Sequence, residues 1–408
     1  MLTSIYQPIR IKMPRHPQTP AAAACLLALF TTILASHVPT PLYAAWQEAW
    51  GFSSTALTAV FSIYVLGVVL TLLTMGSLSD QVGRRQMLVP GLVFIICGSG
   101  VFLLAGDIYQ LGLARLLTGI GTGLVTGAAT AAVVELDPDD NWARSATRAA
   151  LAFTLGCSTG PALSSMALRW TEHAFVWPFL FVIVLSVASI ALLLITPWPA
   201  HLGQRQPGFR LRKWRPTRIR VPRHLLGTFL FAAAVISLAW STGSLYSSLG
   251  PSIARDLAGV TDLAMAGLFA SGWQLVAGLS QFAGQRQPFN RLIMLGPALL
   301  IGGLAALAGA VLLGSVWLFT LATVATAMGA GTVGVIATVT IARSAPPAER
   351  AGMTSAFYLA AYMTMATVVL GIGFASDRLG MINSIVGFSL LISIAAVALV
   401  SVRKRFQP

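Results

Sequence analysis

The sequence predicts an all-α polytopic membrane protein, with twelve transmembrane helices in two pseudo-symmetric six-helix halves. Three observations carry that reading. Of 408 residues, 56% are hydrophobic and only 9% charged, and the mean hydropathy is +0.80. Soluble chains carry roughly 25% charged residues. The apolar residues gather in twelve runs, most of them near the ~20 residues that cross ~30 Å of hydrocarbon. Basic residues concentrate in alternate breaks between those runs. Lipid offers no partner to backbone amides, so each run must close its own hydrogen bonds as a helix.

In chain order the runs lie near 21–43, 55–76, 87–105, 109–133, 148–169 and 174–196, then 224–248, 262–283, 291–313, 316–340, 352–375 and 381–402. Arg10, Lys12 and Arg15 precede the first run, a layout shared by signal peptides and retained first helices. The eleven runs that follow favour a retained helix. Met1 and Met13 both stand open as the start. With the N-terminus inside, inner segments hold 22 of the 26 basic residues, which predicts cytoplasmic termini. Trp46, Trp50, Trp170, Trp177 and Trp317 then fall at outer helix ends, as an interfacial belt would.

This divides the chain into a tail (1–20), a first half (21–196), a linker (197–223), a second half (224–402) and a short tail (403–408). The linker carries eight basic residues. It reads either as a topology-setting inner loop or as a patch for lipid headgroups or a partner. A net charge of +14 raises nucleic acid as a partner, but the basic residues are dispersed and no RNA-binding motif accompanies them. Cys25, Cys97 and Cys157 lie in apolar runs without metal or disulfide spacing. No P-loop or zinc-protease pattern appears, so neither a cofactor nor an enzyme activity is expected.

Two repetitions relate the segments. Aligning Pro41 with Pro251, at matching junctions after runs one and seven, gives an offset of 210 residues. Separately, Gly76-x-x-Ser79-Asp80-x-x-Gly83 recurs as Gly373-x-x-Ser376-Asp377-x-x-Gly380 between runs eleven and twelve. The topology puts the two copies on opposite faces, as inverted three-helix repeats would. In the first copy Gly76 and Gly83 permit positive φ and close approach. Asp80 suits a helix N-terminus, while Arg84 and Arg85 suit a carboxylate or a lipid phosphate.

The stretch "GSLSDQVGRR" resembles the signature loop of the major facilitator superfamily, and length, span count, central loop and termini agree along the whole chain. That resemblance implies a rocker-switch transporter in a bacterial cytoplasmic (inner) membrane, whose halves expose a central cavity alternately. It places a gating role on Gly76, Asp80, Gly83, Arg84 and Arg85, with Asp80 latching the inner ends while the cavity opens outward. The matching loop of the second half, "FAGQRQPFNR", lacks the aspartate, so such a latch is asymmetric.

Run four is similar to that family's arginine motif through Arg115 and Gly119, and a charge within a span is costly enough to mark function. Gly119, Gly123 and Gly127 form an expected packing ridge. Run five resembles the antiporter pattern through Gly156, Gly160 and Pro161, with a bend expected at the proline. Ser164 and Ser165 replace its last two glycines, so export is favoured over import without excluding it.

Trp240, Tyr246, Trp273, Gln274, Tyr358 and Tyr362 are candidate contacts for a small amphipathic ligand. Acidic residues are absent from the middle of every run, where Arg115 and His37 stand instead. A neutral or anionic solute is therefore expected. His37 is the mid-span group whose ordinary pKa lies near neutrality, the candidate carrier if protons are the coupling ion. The alternatives are an importer of an organic acid or similar solute, and a non-transporting receptor or assembly factor.

Overall fold

The computed structural model describes residues 19–75, 78–137, 139, 141–199, 221–344 and 350–402, the side chains of Thr19, Asp80, Arg350 and Ala351 excepted. Twelve helices are long and apolar enough to cross a membrane. In order these spans are Pro20–Trp50, Ser54–Met75, Arg84–Leu103, Ile108–Glu135, Trp142–Trp170 and Trp177–Ile195, then Arg223–Ser248, Leu263–Gln285, Phe289–Leu313, Val316–Ser344, Gly352–Leu379 and Met381–Val402. An even number of spans puts the start of the first and the end of the last on one face, the terminal face. The other is the distal face.

Polar residues between the runs start the helices by accepting their orphan N–H groups. Asp107 accepts from Gln110 N at 2.8 Å, Asn141 from Arg144 N at 3.0 Å and Asp262 from Ala264 N at 2.8 Å. These caps open spans four, five and eight. Gly76 and the tails and most of the linker lie outside the described residues.

The two proline-bearing junctions are themselves helical. The first span is two helices, Thr19–His37 and Pro39–Trp50, parted at Val38. Pro39 and Pro41 lack the N–H groups that the carbonyls of Ala35 and His37 would need, so the ladder breaks. The related junction after span seven is also helical, Gly250–Asp256. The repeat at 210 residues is thus a repeat of short distal helices, and these two pack on one another.

Small residues set the closest approaches. A Cβ on Gly67 would stand 2.7 Å from the Leu116 carbonyl oxygen, and one on Gly119 would lie 3.2 Å from Gly67 Cα. Spans two and four therefore touch backbone to backbone. Gly123 faces Thr71 of the same partner, but Gly127 is exposed with nothing near its missing Cβ. The expected ridge stops one turn early. Gly156 and Gly160 press on the first span, where added Cβ atoms would meet the carbonyls of Phe30 at 2.9 Å and Leu34 at 2.7 Å. Span five stays one helix, Trp142–Trp170, through Pro161, so the expected bend does not interrupt it.

Across the halves, span five packs on span eight and span two on span eleven. The larger buried apolar cluster takes residues from both halves. A second cluster, from Ala21 to Ile33 with Leu78, Leu88, Leu136 and Leu193, belongs to the first half alone and lies toward the terminal face. The halves thus share a core on the distal side and part on the other.

Candidate functional site

Around the break in the first span, neighbouring helices donate to main-chain carbonyls. Arg115 Nη1 donates to the Ser36 carbonyl at 2.7 Å, and Ser164 Oγ to the Val38 carbonyl at 2.6 Å. Arg115 is 1% exposed, and its guanidinium carbon lies 5.5, 5.4 and 4.7 Å from the ring centres of Tyr43, Phe61 and Tyr64. Three electron-rich faces replace part of the hydration that a buried cation loses, each contributing about 1–2 kcal/mol. Its partners are thus a helix carbonyl and three aromatic rings.

Beside it, His37 Nδ1 lies 2.9 Å from the Ile33 carbonyl. A carbonyl only accepts, so that nitrogen carries the hydrogen and Nε2 keeps its lone pair. His37 and Arg115 line one end of a cavity of about 220 Å³ between the halves. The second half contributes Trp240, Trp273, Gln274, Gln281 and Tyr362. Gln274 Nε2 donates to Ser247 Oγ at 3.0 Å, which directs the amide oxygen elsewhere. Trp273 donates its indole N–H to Thr326 Oγ1 at 3.0 Å. Among the described residues, no carboxylate lines the cavity.

Two of the aromatic candidates stand behind this wall. Tyr246 is buried, stacked 5.6 Å from Trp273 and away from the lining, so it supports the indole. Tyr358 lies 5.9 Å from Trp240, also outside the lining, whereas Tyr362 meets Trp240 edge-on at 4.7 Å. Sequence reasoning missed Thr154, Cys157 and Gln281, which also line the cavity. Gln281 had a signal: it lies seven residues after Gln274, on the same helical face, with Gly278 between them.

Cross-half polar contacts gather on the distal side of this cavity. Arg255 Nη1 pairs with Glu48 at 2.8 Å, Arg169 pairs with Asp262, and Ser252 Oγ donates to Gln47 at 3.3 Å. Asp377 accepts from Ser54 N at 2.9 Å and from Thr55 N at 2.8 Å. At mid-depth Ser271 Oγ donates to the Ser158 carbonyl at 2.7 Å.

At the terminal face the loop carrying the first glycine–serine–aspartate cassette is braced within its own half. Gly83 has φ +107°, a conformation that favours glycine, and starts span three. Arg84 holds Glu135 with two bonds of 3.0 and 2.6 Å and reaches Ser79 Oγ at 2.6 Å. Arg85 donates to the Leu194 carbonyl at 2.9 Å, ending span six. The next loop is tied at Asp137, which accepts from Ser145 Oγ at 2.5 Å and Arg144 Nη2 at 2.9 Å. Those bonds, the Ser145 hydroxyl first and then Arg144, hold its carboxyl well below the usual carboxylate range.

Two six-helix halves around a polar-flecked cavity, closed on one face, define a membrane transporter. The chain belongs to the Major Facilitator Superfamily, whose model matches residues 25–367. It is an integral membrane transporter and not an enzyme. One relative, a Shigella boydii protein with the provisional name multidrug resistance protein MdtD, is 27% identical over 248 residues, 60% of this chain and 45% of the relative. An Escherichia coli K12 protein of that name is 28% identical over 173 residues, 42% of this chain and 35% of its own. The chain thus spans less than half the length of these curated relatives.

Solved structures share the fold at low identity. A bacterial homolog of the human lysosomal transporter Spinster, inward-facing and unoccupied, has a TM-score of 0.74 at 16% identity, covering 97% of this chain and 98% of that one. A POT family transporter in complex with 5-aminolevulinic acid has a TM-score of 0.78 at 15% identity, covering 96% and 97%.

Proposed function

We propose that the chain exports small amphipathic organic molecules, neutral or anionic, by alternating access coupled to protons. The observation that carries this reading is the cavity: aromatic walls, amide and imidazole handles, and no carboxylate. Such a lining desolvates an apolar body and orients a few polar groups, but gives a cationic drug no counter-ion. The positive-inside asymmetry supports a cytoplasmic terminal face, and on that reading the cavity closed on the distal side is the inward-facing state. The names of the relatives and the glycine–proline pattern of span five favour export.

His37 is the proposed proton carrier, since its Nε2 lone pair is unengaged by Nδ1 bonding and His37 lines the cavity. In proteoliposomes, a proton gradient is expected to drive labelled amphipathic solutes uphill. His37→Gln should abolish the pH dependence of that uphill transport and spare downhill exchange. A wild-type pH profile in the variant would move coupling elsewhere. Accumulation in the opposite direction would establish the importer, and absence of any counterflow would return the receptor reading.

A further inference from the structure

The second copy of the glycine–serine–aspartate cassette, Gly373 to Gly380, matches the first at its closing glycine and its serine. Gly380 has φ +83° where Gly83 has +107°, and both turn the chain into the next span. Ser376 and Ser79 are both buried. A Cβ on Gly373 would stand 2.7 Å from the Ser54 carbonyl oxygen, so this glycine lets span eleven press on the start of span two.

The start of span two is where Asp377 goes. A helix leaves its first N–H groups without intrahelical partners, and their dipoles favour a negative charge. The first intrahelical bond here runs from Leu57 N to the Ser53 carbonyl, which leaves Ser54, Thr55 and Ala56 N–H to be satisfied. Ser53 Oγ takes Ala56 at 3.2 Å. Asp377 Oδ1 takes Ser54 and Oδ2 takes Thr55, with the Thr55 hydroxyl adding a third bond at 2.5 Å. The N-cap of a helix in one half is thus completed by a carboxylate of the other, 322 residues away.

We propose that Asp377 is the distal latch: it holds the distal ends of the two halves together in the state seen here and must release span two before the cavity opens to that face. The chain then carries one cassette per face. The neighbouring ion pairs, Glu48 with Arg255 and Arg169 with Asp262, involve exposed carboxylates or guanidiniums and are screened by water and salt. Asp377 is exposed as well, but its partners are two fixed main-chain dipoles that have no rotamers to lose. The latch rests on the alternating-access reading but not on any substrate or direction of transport.

Spin labels at Leu104 and Trp317, both exposed distal residues of opposite halves in a chain freed of its cysteines, report the distal opening by their distance distribution. The reading is taken without substrate, so it stands or falls apart from the export proposal. Asp377→Asn is expected to raise the ratio of the long-distance to the short-distance population by about fivefold, less than a buried charge-assisted bond would give. Asp377→Glu, which keeps the charge on a longer stem, should fall between that and wild type. If the asparagine variant does not fold, Thr55→Val removes the hydroxyl donor from the other side and should shift the ratio by about twofold. Unchanged distributions in the folded variants would overturn the latch.

Discussion

Arg115→Ala is expected to abolish transport and to lower stability by about 2–5 kcal/mol, the cost of truncating a large buried side chain. The Ser36 carbonyl would lose its donor where Pro39 and Pro41 have already interrupted the helix, and Tyr43, Phe61 and Tyr64 would lose the cation on which they converge. Arg115→Lys keeps a charge but not the planar face, and should retain part of both properties. Because the guanidinium is engaged by its own protein, affinities for an anionic solute and an uncharged analogue should fall alike in the lysine variant. Isothermal titration of both solutes, beside melting curves, reads this out. A loss confined to the anion would instead make Arg115 the substrate's counter-ion.

The second large effect is expected at Asp80. Asp80→Asn should leave the melting temperature nearly unchanged and slow transport about tenfold or more, since charge-assisted bonds are about twice as strong as neutral ones. The frame that would aim Asp80 is already built: Gly83 turns the chain, and Arg84 clamps the loop to Glu135 and Ser79. The family resemblance gives Asp80 its duty in the outward-open state. Removing the charge should shift the population toward the inward-open state, so cysteines on the terminal side should label faster. Wild-type transport with unchanged labelling would exclude that duty.

The spans and halves were legible because lipid imposes one solution on every apolar run. Polar and aromatic residues stranded in such runs also stood out, which is why His37, Arg115, Trp240, Trp273, Gln274 and Tyr362 were named and do line the cavity. Helical phase was less legible. Where a helix is apolar all round, no polar face fixes its rotation, so Tyr246 and Tyr358 read like Trp240 yet point elsewhere. Gly127 fails for the same reason, facing open space one turn beyond Gly123. The break at Val38 was written in Pro39 and Pro41, but the apolar run masked it. Asp377 was visible as half of a repeat. Its partners on span two were not, because nothing local in a sequence marks a bond across 322 residues.

The proposed binding site for the solute is the cavity between the halves. In a chain with Cys25, Cys97 and Cys157 changed to serine, Gln281→Cys places one thiol on the cavity wall near the terminal end of span eight. A membrane-impermeant maleimide applied to the terminal face should label it, and a transported solute at saturating concentration should slow labelling at least about fivefold. The same reagent on the distal face should react far more slowly unless Asp377 is also replaced. Labelling that a transported solute leaves unchanged would place the binding site outside this cavity.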